Sequence, residues 1–393
     1  MLFLSNRVKS LEVPMTIEMT KKCRALQDAG HDIVSLSLGE PDFDTPDFIK
    51  SAGKEGIDQN YSHYMPVTGY LDLRNAIVKK FKRDNNLFYN ANQIVVSTGA
   101  KQSIANIVMA IVNEGDDVII PAPYWVSYSD LVKFMGGNVV SPKAGVDQGF
   151  KITASQLESS ISKRTKLMIF SSPNNPSGAM YSKAELESLI HVLKKHPQVW
   201  IISDEIYEYI QYGNDHISLA SFDGMKERVA TVNGLSKGFA MTGWRLGFMG
   251  APEPLARACE KIQSQFTSGA SSIAQRAAIS AVLAGPKKVD YMIDAFTARR
   301  TLLADLLRKA NHLKFIKPEG AFYLFVDASS YLNENYKSAQ DLCMAILDGG
   351  VASVPGDAFG LDGHIRFSYA VSEEDLKKAG KRIVTTLNSI KAN

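Results

Sequence analysis

The sequence predicts an α/β fold: a mostly parallel, seven-stranded sheet sandwiched by helices, with a smaller α+β domain beside it. Three observations point there. Short Val/Ile-rich runs alternate with longer helix-period segments through the middle of the chain, the pattern of repeated β-α units. Those runs, such as Leu167-Met-Ile-Phe170 and Val199-Trp-Ile-Ile202, are apolar almost without interruption, which suits strands covered on both faces. Past residue 309 the texture changes to shorter strand and helix patterns, which marks a second layer.

In chain order, the seven strands are expected at 94–97, 117–120, 138–140, 167–171, 199–203, 229–232 and 246–250. Helices are expected at 101–112, 183–195, 254–265 and, the longest, 291–309. Half-buried strands at 321–327 and 363–370 follow, with helices at 339–347 and 373–390. Ahead of all these stand a helix at 16–29, a short strand at 33–38 and the Pro/Asp-rich turn 39–46. A short leading segment needs something to pack on, so it is placed with the C-terminal layer. The expected division is a large domain of residues 47–285 and a small one of residues 1–46 with 286–393.

Composition narrows the function. The chain of 393 residues is 45% apolar and 22% charged, ordinary for a globular protein. Lys plus Arg less Asp plus Glu is 44 − 41 = +3, too small a surplus to attract nucleic acid or anionic lipid, so any anion site is local. Cys23, Cys259 and Cys343 are far apart and form no CxxC spacing, which argues against disulfides and zinc and for a reducing cytoplasm. No metal site is expected. The first residues hold too few apolar side chains for a secretory leader, and nothing approaches a run of about 18 apolar residues. GxGxxG, GxxxxGK[ST] and HExxH are absent, which weakens dinucleotide, P-loop and zincin readings.

Several stretches carry chemistry of their own. Gly234-Leu-Ser-Lys237 sets one lysine after a strand among small residues, with Arg245 eight positions on. A lysine that forms a Schiff base must lose its proton, and restricted water with nearby positive charge lowers its pKa. Ser236 and Arg245 suit a phosphate, as hydroxyl donor and bidentate clamp. A glycine-rich loop with a solvent lysine is the alternative. Asp204, in Ser203-Asp-Glu-Ile-Tyr207, stands at a strand's C-terminal end, where open α/β sheets place ligands. It could equally cap the next helix. Ser97-Thr-Gly99-Ala100-Lys101 passes from strand to helix, so its first N–H groups can bind phosphate and Gly99 permits close approach. Pro173-Asn-Asn-Pro176 alone reads as a turn, Trp125 alone as a packing aromatic, and Arg366 alone as an outward strand residue opposite Ile365 and Phe367.

Together these stretches resemble the class I/II aminotransferases, the fold-type I enzymes dependent on pyridoxal phosphate (PLP). Gly234, Ser236, Lys237, Gly243, Arg245 and Gly247 match the family's lysine signature in register. Gly39-Glu-Pro-Asp-Phe-Asp-Thr-Pro, Pro123-Tyr-Trp-Val-Ser-Tyr and Ser172-Pro-Asn-Asn-Pro-Ser-Gly follow the prokaryotic aspartate aminotransferase branch, over essentially the whole chain. The resemblance implies that Lys237 holds PLP as an imine, Asp204 pairs with the pyridinium nitrogen, and Tyr207 and Asn175 bond the phenolic oxygen. Trp125 stacks on the ring, while Gly99, Ala100, Lys101, Ser236 and Arg245 surround the phosphate. Relatives often carry Ser or Thr where Lys101 stands, so its side chain either donates a charge or points to solvent. Arg366 clamps the substrate α-carboxylate, beside Gly39, Trp125 and Asn175.

Tyr64, in a segment of the form Y-x4-G-x3-LR, matches a residue that reaches the other subunit's phosphate, which implies a homodimer with shared sites. The implied reaction is ping-pong transfer of an amino group between an amino acid, aspartate first, and 2-oxoglutarate. Aromatic, alanine or prephenate specificity stays open, as does a PLP lyase or synthase of the same fold. In one branch an Arg grips the distal carboxylate, but residues 262–274 contain none. A PLP-binding regulator is disfavoured, because the chain has neither spare length nor a basic patch for a DNA-binding module.

Overall fold

The computed structural model describes residues 3–9, 11 and 15–390. Its centre is a seven-stranded sheet in the order Ile94–Ser97, Gly247–Gly250, Val229–Gly234, Trp200–Asp204, Thr165–Ser171, Asp117–Ile119, Asn138–Val140. Every pairing is parallel except those of Gly247–Gly250, which runs antiparallel to both neighbours. Helices Ala100–Ile111 and Glu253–Phe266 bury one side of the sheet through Ile104, Val108, Leu255 and Cys259. Val, Ile and Phe side chains on both faces make the strands near-continuous apolar runs, because each face is covered.

The parallel strands end on one edge, so Gly99, Ser172, Asp204 and Gly234 emerge side by side. The loop 235–246 then returns the chain as the antiparallel strand, with Gly234 opposite Gly247. A Cβ on Gly247 would come within 2.2 Å of the Ala100 nitrogen, so only glycine lets the start of helix Ala100–Ile111 approach this loop.

A second, antiparallel sheet places His364–Ser368 between Val354–Pro355 and Tyr323–Asp327. Val34–Ser35 pairs in parallel with Val351–Ala352, and the Ser368 N–H donates to the Leu36 carbonyl. Helices Asp290–Leu307 and Glu373–Ser389 pack on each other over this layer.

The seven expected strands are all present, to within two residues at each end. Two expectations change. The strands near 323 and 364 are buried on both faces rather than half-buried, because helices cover one side and the cavity wall the other. The strand expected over 33–38 shrinks to two ladder residues, since only Val351–Ala352 is available to pair with it. Helices Asp47–Asp58, Leu71–Asn85, Ser127–Phe134, Ala154–Ser160 and Ser272–Ala284 were not anticipated. Ser272–Ala284 is alanine-rich and weakly amphipathic, and it packs on helix Asp47–Asp58 with Ala277 against Gly53 and Ile273 and Arg276 against Gly56.

Candidate active site

A cavity of about 580 Å³ opens at the sheet edge where the parallel strands end. Gly39, Ala100, Lys101, Trp125, Asn175, Asp204, Tyr207, Ser236, Lys237, Arg245 and Arg366 all line it. Gly99 flanks it at φ +83°, where a Cβ would meet the Arg245 guanidinium at 2.3 Å. Tyr64 does not line it: its side chain is 95% exposed.

Asp204 ends its strand and is buried, with Oδ2 accepting from the Tyr128 hydroxyl at 2.5 Å and Oδ1 from the Ile206 N–H at 3.2 Å. Burial pushes its carboxyl up to about 6, against the Tyr128 bond. Lys237 lies across the cavity on the return loop and donates to the Gly39 carbonyl at 2.5 Å. Burial brings its amine down to about 8, the Glu40 carboxylate opposing and the Arg245 and Arg366 cations adding to the fall.

Arg366, in the middle of the three-stranded sheet, donates to Asn175 Oδ1 at 3.0 Å and to the Ser37 carbonyl at 2.6 Å. Its guanidinium lies 4.5 Å from the Tyr323 ring, and its buried Nε has no partner. Tyr207 meets the Tyr323 hydroxyl at 2.8 Å. Trp125 stands edge-on to Tyr128, with Lys101 Nζ 4.8 Å from its ring centre. Burial, then the nearby Arg245 cation, lowers the Lys101 amine. Helix Ala100–Ile111 starts here without a side-chain cap, so its first N–H groups have no partner within the helix.

Tyr128 and Tyr323 were missed from the sequence. Tyr128 was legible in principle, one helical turn beyond Trp125; Tyr323 was not, because its place depends on a strand from the far end of the chain. Thr20, Lys21 and Arg24 of helix Met15–Asp28 also reach the cavity lining.

Among the lining residues, six cations (Lys21, Arg24, Lys101, Lys237, Arg245 and Arg366) face one carboxylate, Asp204. Such a site takes anions. An amine that loses its proton near neutrality and a guanidinium with an unused N–H define an enzyme site for amine chemistry on an anionic substrate, carried on an α/β fold.

The family model described as "Aminotransferase class I and II" matches residues 31–383. An aspartate/prephenate aminotransferase of Cereibacter sphaeroides is 45% identical over 98% of each chain. A bifunctional aspartate and glutamate/aspartate-prephenate aminotransferase of Petunia hybrida is 44% identical over 99% of this chain and 83% of its own. The crystal structure of the Rhizobium meliloti aspartate aminotransferase superposes with a TM-score of 0.95 at 40% identity, over 99% of both chains. That of Thermus thermophilus aspartate aminotransferase with maleate gives 0.94 at 38%, covering 98% of this chain and all of the other. The chain belongs to the class I and II aminotransferases, and its cofactor is PLP.

Proposed function

We propose that this aminotransferase uses aspartate as its principal amino donor and 2-oxoglutarate as acceptor. The observation that carries the reading is the cavity's charge pattern, one carboxylate, Asp204, among six cations, more than a phosphate and a single carboxylate would use. The residues fit PLP. The Gly99 cradle, the N–H groups of Ala100 and Lys101, Ser236 and Arg245 would hold the phosphate, Asp204 the ring nitrogen, and Tyr207 the phenolic oxygen. Asn175 accepts from Arg366 through Oδ1, which leaves its amide N–H₂ for that same oxygen. Trp125 would cover the ring.

When bound, PLP supplies a sink for the electrons released at the substrate's Cα. Arg366 grips the α-carboxylate, Nε included, and orients the Cα–H bond. Lys237 Nζ would hold and move the proton released at the substrate's Cα, work suited to an amine whose pKa is about 8. Lys21, Arg24 and Lys101 have no ion-pair partner among the described residues and are the lining cations left for the substrate's second carboxylate. The names of the Cereibacter and Petunia relatives favour prephenate, also a dicarboxylate, as a second acceptor. A panel of amino acids with 2-oxoglutarate, ranked by kcat/KM, tests the specificity: aspartate leads the panel, and a lead for alanine or an aromatic amino acid would refute it.

The same proposal includes a homodimer with shared sites in the cytoplasm and the division into domains 47–285 and 1–46 with 286–393. The exposed Tyr64, next to Met65 and Pro66, supports the first, since it does not line its own chain's cavity. Mixing inactive Lys237→Ala and Tyr64→Ala chains under subunit exchange is expected to restore activity; no recovery would place Tyr64 in its own chain's service. Among the described residues no helix is long and apolar enough to cross a membrane. The pairing of Val34–Ser35 with Val351–Ala352 supports grouping the two ends of the chain.

A further inference from the structure

Directly behind the cavity wall lies a second group of charges that the reaction does not use. Glu205 follows Asp204 at the strand exit and does not line the cavity. Its Oε1 accepts from the hydroxyls of Ser203 (2.9 Å) and Ser218 (2.7 Å), and its Oε2 lies 3.0 Å from His216 Nε2. Glu208, one turn on, pairs with Lys80 of helix Leu71–Asn85. Asn85 joins the two pairs, accepting from Lys80 at 2.7 Å and donating to Glu208 at 2.8 Å and Glu205 at 3.4 Å. Lys80, Glu205 and Glu208 are at most 4% exposed. Arg83, Asp84 and Tyr209 close the outer edge by bonding among themselves.

Lys80 also lies 3.8 Å from Asp84, so three carboxylates (Asp84, Glu205 and Glu208) stand against two permanent cations (Lys80 and Arg83), and an unbalanced buried charge is costly. A protonated His216 completes the balance. Glu205 and Glu208 face it on one side and Lys80 on the other. Burial works against its charge, and the attraction of Glu205 outweighs burial and raises its pKa. Its Nδ1 has no partner, so Nε2 alone carries the contact. On Asp204, the Glu205 charge adds to the upward push of burial.

We propose that Glu205 and His216 are positioning residues for Asp204: the pair fixes the strand exit that aims Asp204 into the cavity and cancels a buried charge directly behind it. The side-chain contacts support the first part, since the Glu205 carboxylate ties Ser203, the strand residue just before Asp204, to Ser218 and His216 of the following segment. The second part is electrostatic. A Glu205 charge that His216 no longer cancels would raise the proton affinity of Asp204 and of the ring nitrogen paired with it. The inference rests on the reading of Asp204 as the partner of that nitrogen.

The test is a pH titration of the visible absorbance of the PLP-loaded enzyme. His216→Gln is expected to move the midpoint upward, on the order of half a unit to one unit. Glu205→Gln/His216→Gln, which removes both charges, is expected to return it to within about 0.3 unit of the unmutated enzyme. A purely structural pair would lower the melting temperature in both variants and leave the midpoint in place, which would overturn the proposal. A second readout needs neither cofactor nor a stable single variant. In the cofactor-free, unmutated protein, the His216 ring signal, assigned by its absence from the double variant, titrates above the usual 6.5; a ring already neutral at pH 6.5 would overturn the proposal as well. Asp204→Asn separates the two levels: no change in midpoint or turnover would fault the reading of Asp204 itself. A change there, with none in His216→Gln, would fault only the pair behind it.

Discussion

The two sides of the Asp204–Glu205 strand exit use the same kinds of residue to opposite ends. Behind the exit, Asn85 and His216 link Lys80, Glu205 and Glu208 through 2.7 to 3.4 Å contacts, so that each charge there faces an opposite one. In front of it, among the described residues Lys101 and Arg366 have no carboxylate partner, and six cations line a cavity with one carboxylate. Burial alone therefore does not mark the active site, because both sides are buried. The mark is unmatched charge: a cluster that closes on itself holds the fold, and a cluster left open is completed by a ligand.

That contrast can be broken by substitution on either side. The largest effect is expected in front, where Lys237→Ala lowers turnover at least on the order of 10⁴-fold while PLP stays bound, because the phosphate and ring contacts lie elsewhere. Steady-state rates and cofactor absorbance after gel filtration check both halves. In the cofactor-free protein, reaction of Lys237 with an amine reagent should reach its half-maximal rate near pH 8 rather than near 10.5, because the lowered pKa leaves the amine neutral at lower pH. Behind the exit, Lys80→Met leaves Glu208 buried without its cation and is expected to cost about 3–5 kcal/mol of stability, read by urea unfolding. Loss of activity without loss of stability would contradict the assignment of that side to the fold.

Arg366→Lys keeps the charge and loses the fork. It should lower kcat/KM about 10- to 1000-fold, or about 1.4–4 kcal/mol, for every amino acid tested. An effect confined to one side-chain class would make Arg366 a specificity residue instead. The smallest effect belongs to Tyr64→Phe: under the shared-site proposal it removes one hydroxyl from a charged acceptor and should weaken PLP retention by about 1 kcal/mol, measured as cofactor dissociation.

How much of this was legible in the sequence depended on whether a residue's neighbours are local. The strands of the central sheet are continuous apolar runs and were found almost to the residue, and Lys237, Asp204 and Arg245 stand in compact motifs beside them. The half-buried reading of 321–327 and 363–370 failed because the second covering face is built from distant parts of the chain. Helix Ser272–Ala284 was missed because alanine on all sides carries no amphipathic period. The cluster behind Asp204 was also invisible: Lys80 and Asn85 come from a helix more than a hundred residues upstream, and nothing in their local sequence says that they meet Glu205 and Glu208. Tyr323 contacts Tyr207 across a similar separation.

The central claim is that the open side of the strand exit is a PLP-dependent transaminating site for aspartate. Its most direct test is a half-reaction: aspartate alone is added to the PLP-loaded enzyme, with no 2-oxo acid, and the cofactor absorbance is followed. The account predicts full conversion of the visible band to that of the cofactor's amino form, one equivalent of oxaloacetate per site, and recovery of the original band on adding 2-oxoglutarate. A band unchanged by aspartate, or a product other than the oxo acid, would contradict it.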